Sequence, residues 1–222
     1  MARLAHISII GPGKVGTAIG VLAARRGYSV AVGGRDRRRV AAAVRMIGRR
    51  ASGGDMSESA AVGDIVLLTV NDGAIADVCN SLAREGALRP RAIVAHCCGA
   101  LGSDVLAEAR DLGGCRIASM HPLQTFPSEQ SAIEAMKDTY FFLEGDTAAL
   151  AGLEKFVRDI GGVPCRIGPS PRHKALYHAA ACMASNYLVA LMDAMLSVAQ
   201  EAGLDRRTAK KYVLGKGGIA PV

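Results

Sequence analysis

The sequence predicts an α/β chain in which a doubly wound parallel sheet with crossover helices is followed by a small all-helical segment. Three observations predict it. Apolar runs of strand length alternate with helical patterns for most of the chain, the signature of strands joined by crossover helices. The run Ile65-Val66-Leu67-Leu68 is apolar without a break, as expected of a central strand buried on both faces. From Pro171 to Gly203 the strand signal disappears and no proline intervenes, so one long helix starts at Pro171 and stops at Gly203.

Each element follows in order. His6 to Ile10 is a short apolar strand, and Lys14 to Arg26 a helix with Val15, Ile19 and Leu22 on one face. Ser29 to Val32 is the next strand, and Arg38 to Ile47 a basic helix. Asp64 to Val70, Ala92 to Cys97 and Cys115 to Met120 read as strands, separated by helices Ala74 to Arg84 and Ser103 to Arg110. Two further strands, Thr139 to Leu143 and Val163 to Ile167, bracket a helix from Ala148 to Ile160. Gly168-Pro169-Ser170-Pro171 marks a boundary, giving domains 1–168 and 169–222, the second with a short helix from Arg206 to Leu214 and an aperiodic tail from Gly215.

Composition limits the function classes. The chain has 222 residues, 50% hydrophobic and 21% charged, enough for a sizeable core and too apolar for disorder. No apolar run is read as long enough to cross a membrane, and Met1 to Leu4 lead into a strand rather than a secretion signal, so the expected compartment is the cytoplasm. The six cysteines include no C-x-x-C pair, so no metal site is expected and the thiols are read as reduced. Net charge is +7, much of it between Arg35 and Arg50, without a base-reading motif or interleaved aromatics; a small-molecule substrate is expected, not nucleic acid or a membrane.

Gly11-Pro12-Gly13-Lys14-Val15-Gly16 follows a strand, opens a helix and leads to a second strand, the context that makes a G-x-G-x-x-G loop specific for a dinucleotide and the sheet Rossmann-type. Gly11 permits the tight turn, Gly13 lets the backbone approach a pyrophosphate, and Gly16 lets the helix pack on the sheet. The helix N-terminus at Lys14 and Val15 offers N–H groups to phosphate. NAD sites usually carry a carboxylate at the end of the second strand; here that position falls on Gly34, and Arg35 follows. A guanidinium pairs with a 2′-phosphate, with Arg39 one turn on, so NADP is the expected cofactor. Asp36 keeps NAD open if the strand runs further.

Ligands in such sheets lie beyond the carboxyl ends of the strands. Val70 and Asn71 follow the fourth strand and His96 closes the fifth, completing the expected cofactor site; His96 reads equally as a strand-end histidine satisfied by backbone, and Asp72 either as a ligand or as a helix N-cap. His121, before Pro122, is a proton-donor candidate. Along the long helix Lys174, His178, Cys182 and Asn186 recur every four residues, a stripe expected to border the cleft while Leu176, Leu188 and Leu191 pack inside the helical domain.

Several segments together resemble a known family. They are Gly11 to Gly16, Val70-Asn71-Asp72, His96-Cys97-Cys98-Gly99-Ala100, Ser119-Met120-His121-Pro122-Leu123-Gln124-Thr125-Phe126, Tyr177-His178-Ala179-Ala180-Ala181 and Ala184-Ser185-Asn186-Tyr187. The chain resembles bacterial Rossmann-like proteins with a C-terminal helical domain of unknown function. These are similar to deazaflavin-dependent NADP oxidoreductases, pyrroline-5-carboxylate reductases and ketopantoate reductases. The resemblance implies an NADP-linked oxidoreductase acting on a small carbonyl or imine, with deazaflavin as a further cofactor candidate and a homodimer formed through the helical domain. Family members continue with more helices past Leu214, so the helical domain is expected to be incomplete. The pair Lys174 and His178 is similar in placement to the acid/base lysine and amide of β-hydroxyacid dehydrogenases, with His for the amide. Catalytic candidates are therefore His121, Lys174, His178 and Asn186. The alternative is a dinucleotide-binding module without turnover.

Overall fold

Residues 6–124, 129–168 and 170–214 are described by the computed structural model; Met1 to Leu4, Thr125 and Phe126, Pro169 and the tail from Gly215 lie outside them. The apolar runs make the centre of the sheet. β1 (His6–Ile10) is buried from Ile7 onward and pairs in parallel with β4 (Ile65–Leu68), Ile7 opposite Ile65 and Ile10 opposite Leu68. β2 (Ser29–Gly33) and β3 (Ala51–Gly54) extend the sheet on one side. β5 (Ile93–His96), β6 (Arg116–Pro122), β7 (Tyr140–Gly145) and β8 (Val163–Arg166) extend it on the other, giving the order β3-β2-β1-β4-β5-β6-β7-β8. Strand order reverses between β2 and β4 around β1, which places the crevice of a doubly wound sheet at the carboxyl ends of these strands.

Helices cover both faces. They are α1 (Lys14–Arg25), α2 (Arg37–Ile47), α3 (Met56–Ala60), α4 (Ile75–Arg84), α5 (Ala107–Asp111), α6 (Glu129–Ala135) and α7 (Thr147–Asp159). Strand alternation splits the core in two. Ile9, Leu67, Ala95 and Met120 meet Ile19 of α1 and Phe156 of α7, whereas Ile10, Leu68, Val94 and Ile117 meet Ile75 and Leu82 of α4. Burying each of the larger side chains stabilises the fold by about 1.5–3 kcal/mol.

Three parts of the sheet depart from the sequence reading. β3 was not expected, because Ala-Ser-Gly-Gly has little strand propensity; a Cβ on Gly53 would lie 2.7 Å from Val40, so the bare backbone is what lets α2 lie on this edge. α3 and α6 are short helices without a clear apolar period. β7 pairs antiparallel to β6 and β8 parallel to β7, a direction that alternating hydrophobicity does not encode.

The chain divides into two compact units, Met1–Lys174 and Ala175–Val222, a few residues past the expected boundary at 168. α8 (Pro171–Cys182) continues through one wide turn, Met183–Tyr187, into α9 (Leu188–Glu201), and α10 (Arg206–Leu214) follows. At the wide turn the Ser185 hydroxyl donates to the Ala181 carbonyl at 2.7 Å, a local bond that competes with the helical ladder. Gly203 ends the helix at φ +91, as its sequence position suggests. Two expectations are corrected. Leu176, Leu188 and Leu191 are 56%, 45% and 58% exposed, so that face is not packed. The 31-residue segment Pro171–Glu201 is long and apolar enough, by length and composition alone, to cross a membrane, a test that core helices of soluble proteins also pass.

Candidate functional site

The glycine loop is built from close approaches. Gly11 sits at φ +97, and a Cβ there would lie 2.7 Å from Val70 Cγ1 and 2.8 Å from its backbone N. A Cβ on Gly16 would collide with Thr69 Oγ1 and stand 2.8 Å from Ile9 Cγ2, so the start of α1 lies directly on β1 and the end of β4. At Gly13 a Cβ would meet nothing within 4 Å. The three glycines thus behave as their roles require: two for packing, one facing open space. The Thr69 hydroxyl donates to the Gly11 carbonyl at 2.6 Å and fixes the loop to β4, a role sequence reasoning missed although Thr69 directly follows the apolar run. No side chain caps α1 and its first turn carries no acid, so its N–H groups and dipole are left to favour an anion.

Around this loop lies a cleft of about 200 Å³ lined by Gly11, Pro12 and Gly13 of the first loop, Gly34, Arg35 and Arg39 of the second, and Thr69, Val70 and Asn71 after β4. The expected cofactor residues Gly11, Gly13, Gly34, Arg35, Val70 and Asn71 are brought together here; Lys14, Val15 and Gly16 continue into α1 beside it. β2 ends at Gly33, one residue past the end read from the sequence, so Gly34 follows the strand directly and Asp36 stays open as an NAD-type carboxylate. A Cβ on Gly34 would come 2.9 Å from the Pro12 ring, so the two loops touch through this glycine. Asp36 caps α2: its Oδ1 accepts from the Arg38 and Arg39 N–H groups at 2.9 and 3.3 Å. The cleft's polar rim carries Arg35, Arg39 and the Asp36 carboxylate, and its floor is uncapped backbone, a donor set that fits the phosphates of a dinucleotide.

A second polar feature lies further along the same carboxyl edge. Register places His96 opposite Ser119 and Ser119 opposite Glu144 across β5, β6 and β7. All three point to the face occupied by Val94 and Ile117, and they are 0%, 0% and 6% exposed. Each is satisfied. The His96 Nε2 pairs with the Gly102 carbonyl at 3.1 Å and its Nδ1 accepts from the Cys98 N–H at 3.2 Å. Glu144 accepts from the Ser103 N–H at 2.7 Å and from its hydroxyl at 2.8 Å. The Lys174 Nζ donates to Ser119 Oγ at 2.5 Å, and Lys174 is only 2% exposed.

The electrostatics follow from this burial. The Lys174 ammonium is pushed below the ordinary lysine range by burial, with Glu144, Cys98 and Cys97 opposing. His96 is pushed down to about 4 by burial, against its bond to Gly102 and with help from the Lys174 charge, so it is neutral at pH 7. His96 is buried with both ring nitrogens bonded to backbone, the strand-end arrangement that was its second reading. Burial pushes the Cys97 thiol up to about 12 and raises Cys98 as well, Asp72 adding a hydrogen bond to the latter. Both are therefore thiols, not nucleophilic thiolates, at neutral pH. Asp72 opens a single 3₁₀ turn before α4 without capping it. No cluster of metal-ligating side chains occurs among the described residues.

The other proton-donor candidates are placed differently. His121 lies inside β6, not in a turn beyond it, opposite Phe142 and on the Ser119 face. Lys174, His178 and Cys182 recur at four-residue spacing along the continuous helix α8. The wide turn falls between Cys182 and Asn186 and breaks the spacing; Asn186 is exposed. His178 Nε2 lies 3.6 Å from the Cys182 thiol. Sequence reasoning missed Ser103, Ser119 and Glu144. The signal was present as lone polar residues inside apolar strands, Ile117-Ala118-Ser119-Met120 and Phe141-Phe142-Leu143-Glu144.

A family profile described as a Rossmann-like domain matches residues 1–122, and one described as a domain of unknown function, DUF2520, matches residues 139–215. A search of the curated proteins finds no match. Among solved structures, protein TM1727 from Thermotoga maritima is similar at 26% identity and TM-score 0.73, over 95% of this chain and 76% of that one. A pyrroline-5-carboxylate reductase from Coxiella burnetii aligns at 18% identity and TM-score 0.71, over 95% and 76% of the two chains. A 3-hydroxyisobutyrate dehydrogenase from Salmonella typhimurium aligns at 17% identity and TM-score 0.77, over 97% and 74%. The architecture is thus a Rossmann-like fold of the kind these oxidoreductases have.

Proposed function

The chain belongs to the Rossmann-like domain family, and from that premise we propose that it is an NADP-dependent oxidoreductase moving hydride between NADPH and the carbonyl or imine carbon of a small substrate. The observation that carries the enzymatic part is Lys174: a desolvated ammonium held on Ser119 at the carboxyl edge of the same unit that carries the glycine loop. A group with a lowered pKa at such an edge is suited to give a proton to a developing alkoxide or amine. When bound, the nicotinamide supplies the hydride. The chain's own residues do the rest. The loop of Gly11, Gly13 and Gly16 and the N-terminus of α1 take the pyrophosphate, and Arg35 with Arg39 pairs the 2′-phosphate. Asp36 also lines the cleft while its Oδ1 caps α2, so the choice of the phosphorylated cofactor rests on Arg35 and Arg39 on either side of it. Lys174 supplies the proton, and His121 on the same strand face as Ser119 is the second donor.

The cytoplasm is the compartment this reading implies. A homodimer is proposed through the helical unit, whose Val189, Leu191 and Val198 are exposed, and sedimentation reads it directly. The functional experiment is NADPH oxidation across a panel of 2-oxoacids and cyclic imines, with one arm offering a deazaflavin as acceptor. Turnover on a member of the panel is expected. Tight NADPH binding with no turnover in any arm makes the chain a dinucleotide-binding module instead.

A further inference from the structure

We propose that Glu144 and Ser119 are positioning residues for Lys174: Ser119 fixes where its ammonium points, and Glu144 supplies the fixed countercharge that keeps that buried ammonium protonated. The assignment takes its purpose from the proton-donor role proposed above, but its geometry and its test do not depend on turnover.

The row His96, Ser119, Glu144 occupies adjacent positions of three neighbouring strands, on a face that is otherwise Leu68, Val94 and Ile117. Polar groups in such a place are costly unless every one is bonded, so a row of three is not a neutral choice of sequence. His96 is satisfied locally by the turn after β5 and is neutral. Glu144 is different. Both its oxygens accept from one residue, Ser103, through the backbone N–H and the hydroxyl, the acceptor-only pattern of a carboxylate, and this bidentate hold prevents it from turning away. Ser119 stands between them in register and takes the Lys174 bond. Among the described groups that face Lys174 electrostatically are Glu144 from β7, the thiols of Cys97 and Cys98 after β5 and the neutral His96 ring of β5. Because burial keeps both thiols protonated, Glu144 is the negative charge among these, and it opposes the desolvation that drives the ammonium to lose its proton. The arrangement sets the charge state of Lys174 before any ligand arrives.

The test is a pH titration of the Lys174 side-chain ¹⁵Nζ resonance in the full chain without cofactor, assigned with Lys174→Met. Glu144→Gln is expected to move the midpoint down by about one pH unit or more, since an opposite charge at close range raises a pKa by about 1–3 units. Ser119→Ala is expected to broaden the resonance and move it down by less. Glu108→Gln, which removes a carboxylate paired to Arg84 elsewhere, is expected to change nothing. An unchanged midpoint in Glu144→Gln overturns the proposal. If Glu144→Gln does not fold by circular dichroism, Ser103→Ala loosens the carboxylate while keeping its charge; a smaller downward shift supports the proposal and no shift overturns it. In turnover, the alkaline limb of kcat should follow the same order with cofactor KM unchanged. A shifted resonance in a chain that turns over nothing supports the positioning and sinks the enzyme reading alone.

Discussion

The glycine-loop cleft and the polar row at β5, β6 and β7 lie on one sheet edge but are made in opposite ways. The cleft is made by leaving side chains out: Gly11, Gly13, Gly16 and Gly34 bring backbone and loops together, and its charge sits on exposed Arg35, Asp36 and Arg39. The row is made by putting polar side chains in, with His96, Ser119, Glu144 and Lys174 all buried and each bonded. The first kind of site binds by shape and fixed dipoles and tolerates water. The second gains its leverage from low dielectric, where one unpaired partner is costly. Substitutions should therefore separate them: the cleft is expected to fail in affinity, the row in chemistry and stability.

The largest expected effect is on the cleft. Gly13→Val should reduce dinucleotide binding below detection by calorimetry, because its side chain would point into the open space at the loop. The fold should survive, since φ at Gly13 is −91 and a Cβ meets nothing within 4 Å. Normal NADPH binding by this variant would reduce the loop to a structural turn. Next is the row. Lys174→Met should lower kcat by about 10²–10⁴, the usual worth of a positioned proton donor, with NADPH affinity little changed. Equal losses in affinity and turnover would erase the proposed division between the two sites.

A third effect concerns stability alone. His96 is held at about 4 in the folded chain against 6.5 when exposed, so between these values the unfolded state binds the extra proton. Its contribution is complete above about pH 6.5 and is lost as pH falls toward 4, an integrated effect of about 3 kcal/mol. Urea unfolding at pH 7 and pH 4.5 should show this loss, and His96→Gln should remove most of the difference. A wild-type and variant chain with the same acid slope would mean His96 is not buried neutral.

The same contrast explains what the sequence disclosed. The cleft was legible because its parts are local: Gly11 to Gly16 is one turn between a strand and a helix, and Gly34-Arg35 ends the next strand. The row was not, because Ser119 and Glu144 become neighbours only through the β6–β7 register, and that pair is antiparallel where its connection suggested a parallel strand. Lys174 was found on the sequence through its helical spacing to His178 and Cys182, whereas its bond to Ser119, 55 residues away in sequence, was not legible there. β3 escaped for a related reason, since Gly53 is bare where α2 packs and Gly54 where α3 packs.

The central claim is that the second loop selects the phosphorylated cofactor. Parallel calorimetric titration of the wild-type chain with NADPH and NADH tests it most directly, with Arg35→Asp as the paired variant. The account predicts tighter NADPH binding in the wild type and a loss of about 1.5–3 kcal/mol for NADPH, but not for NADH, in the variant. Equal affinity for the two cofactors in the wild type would contradict it.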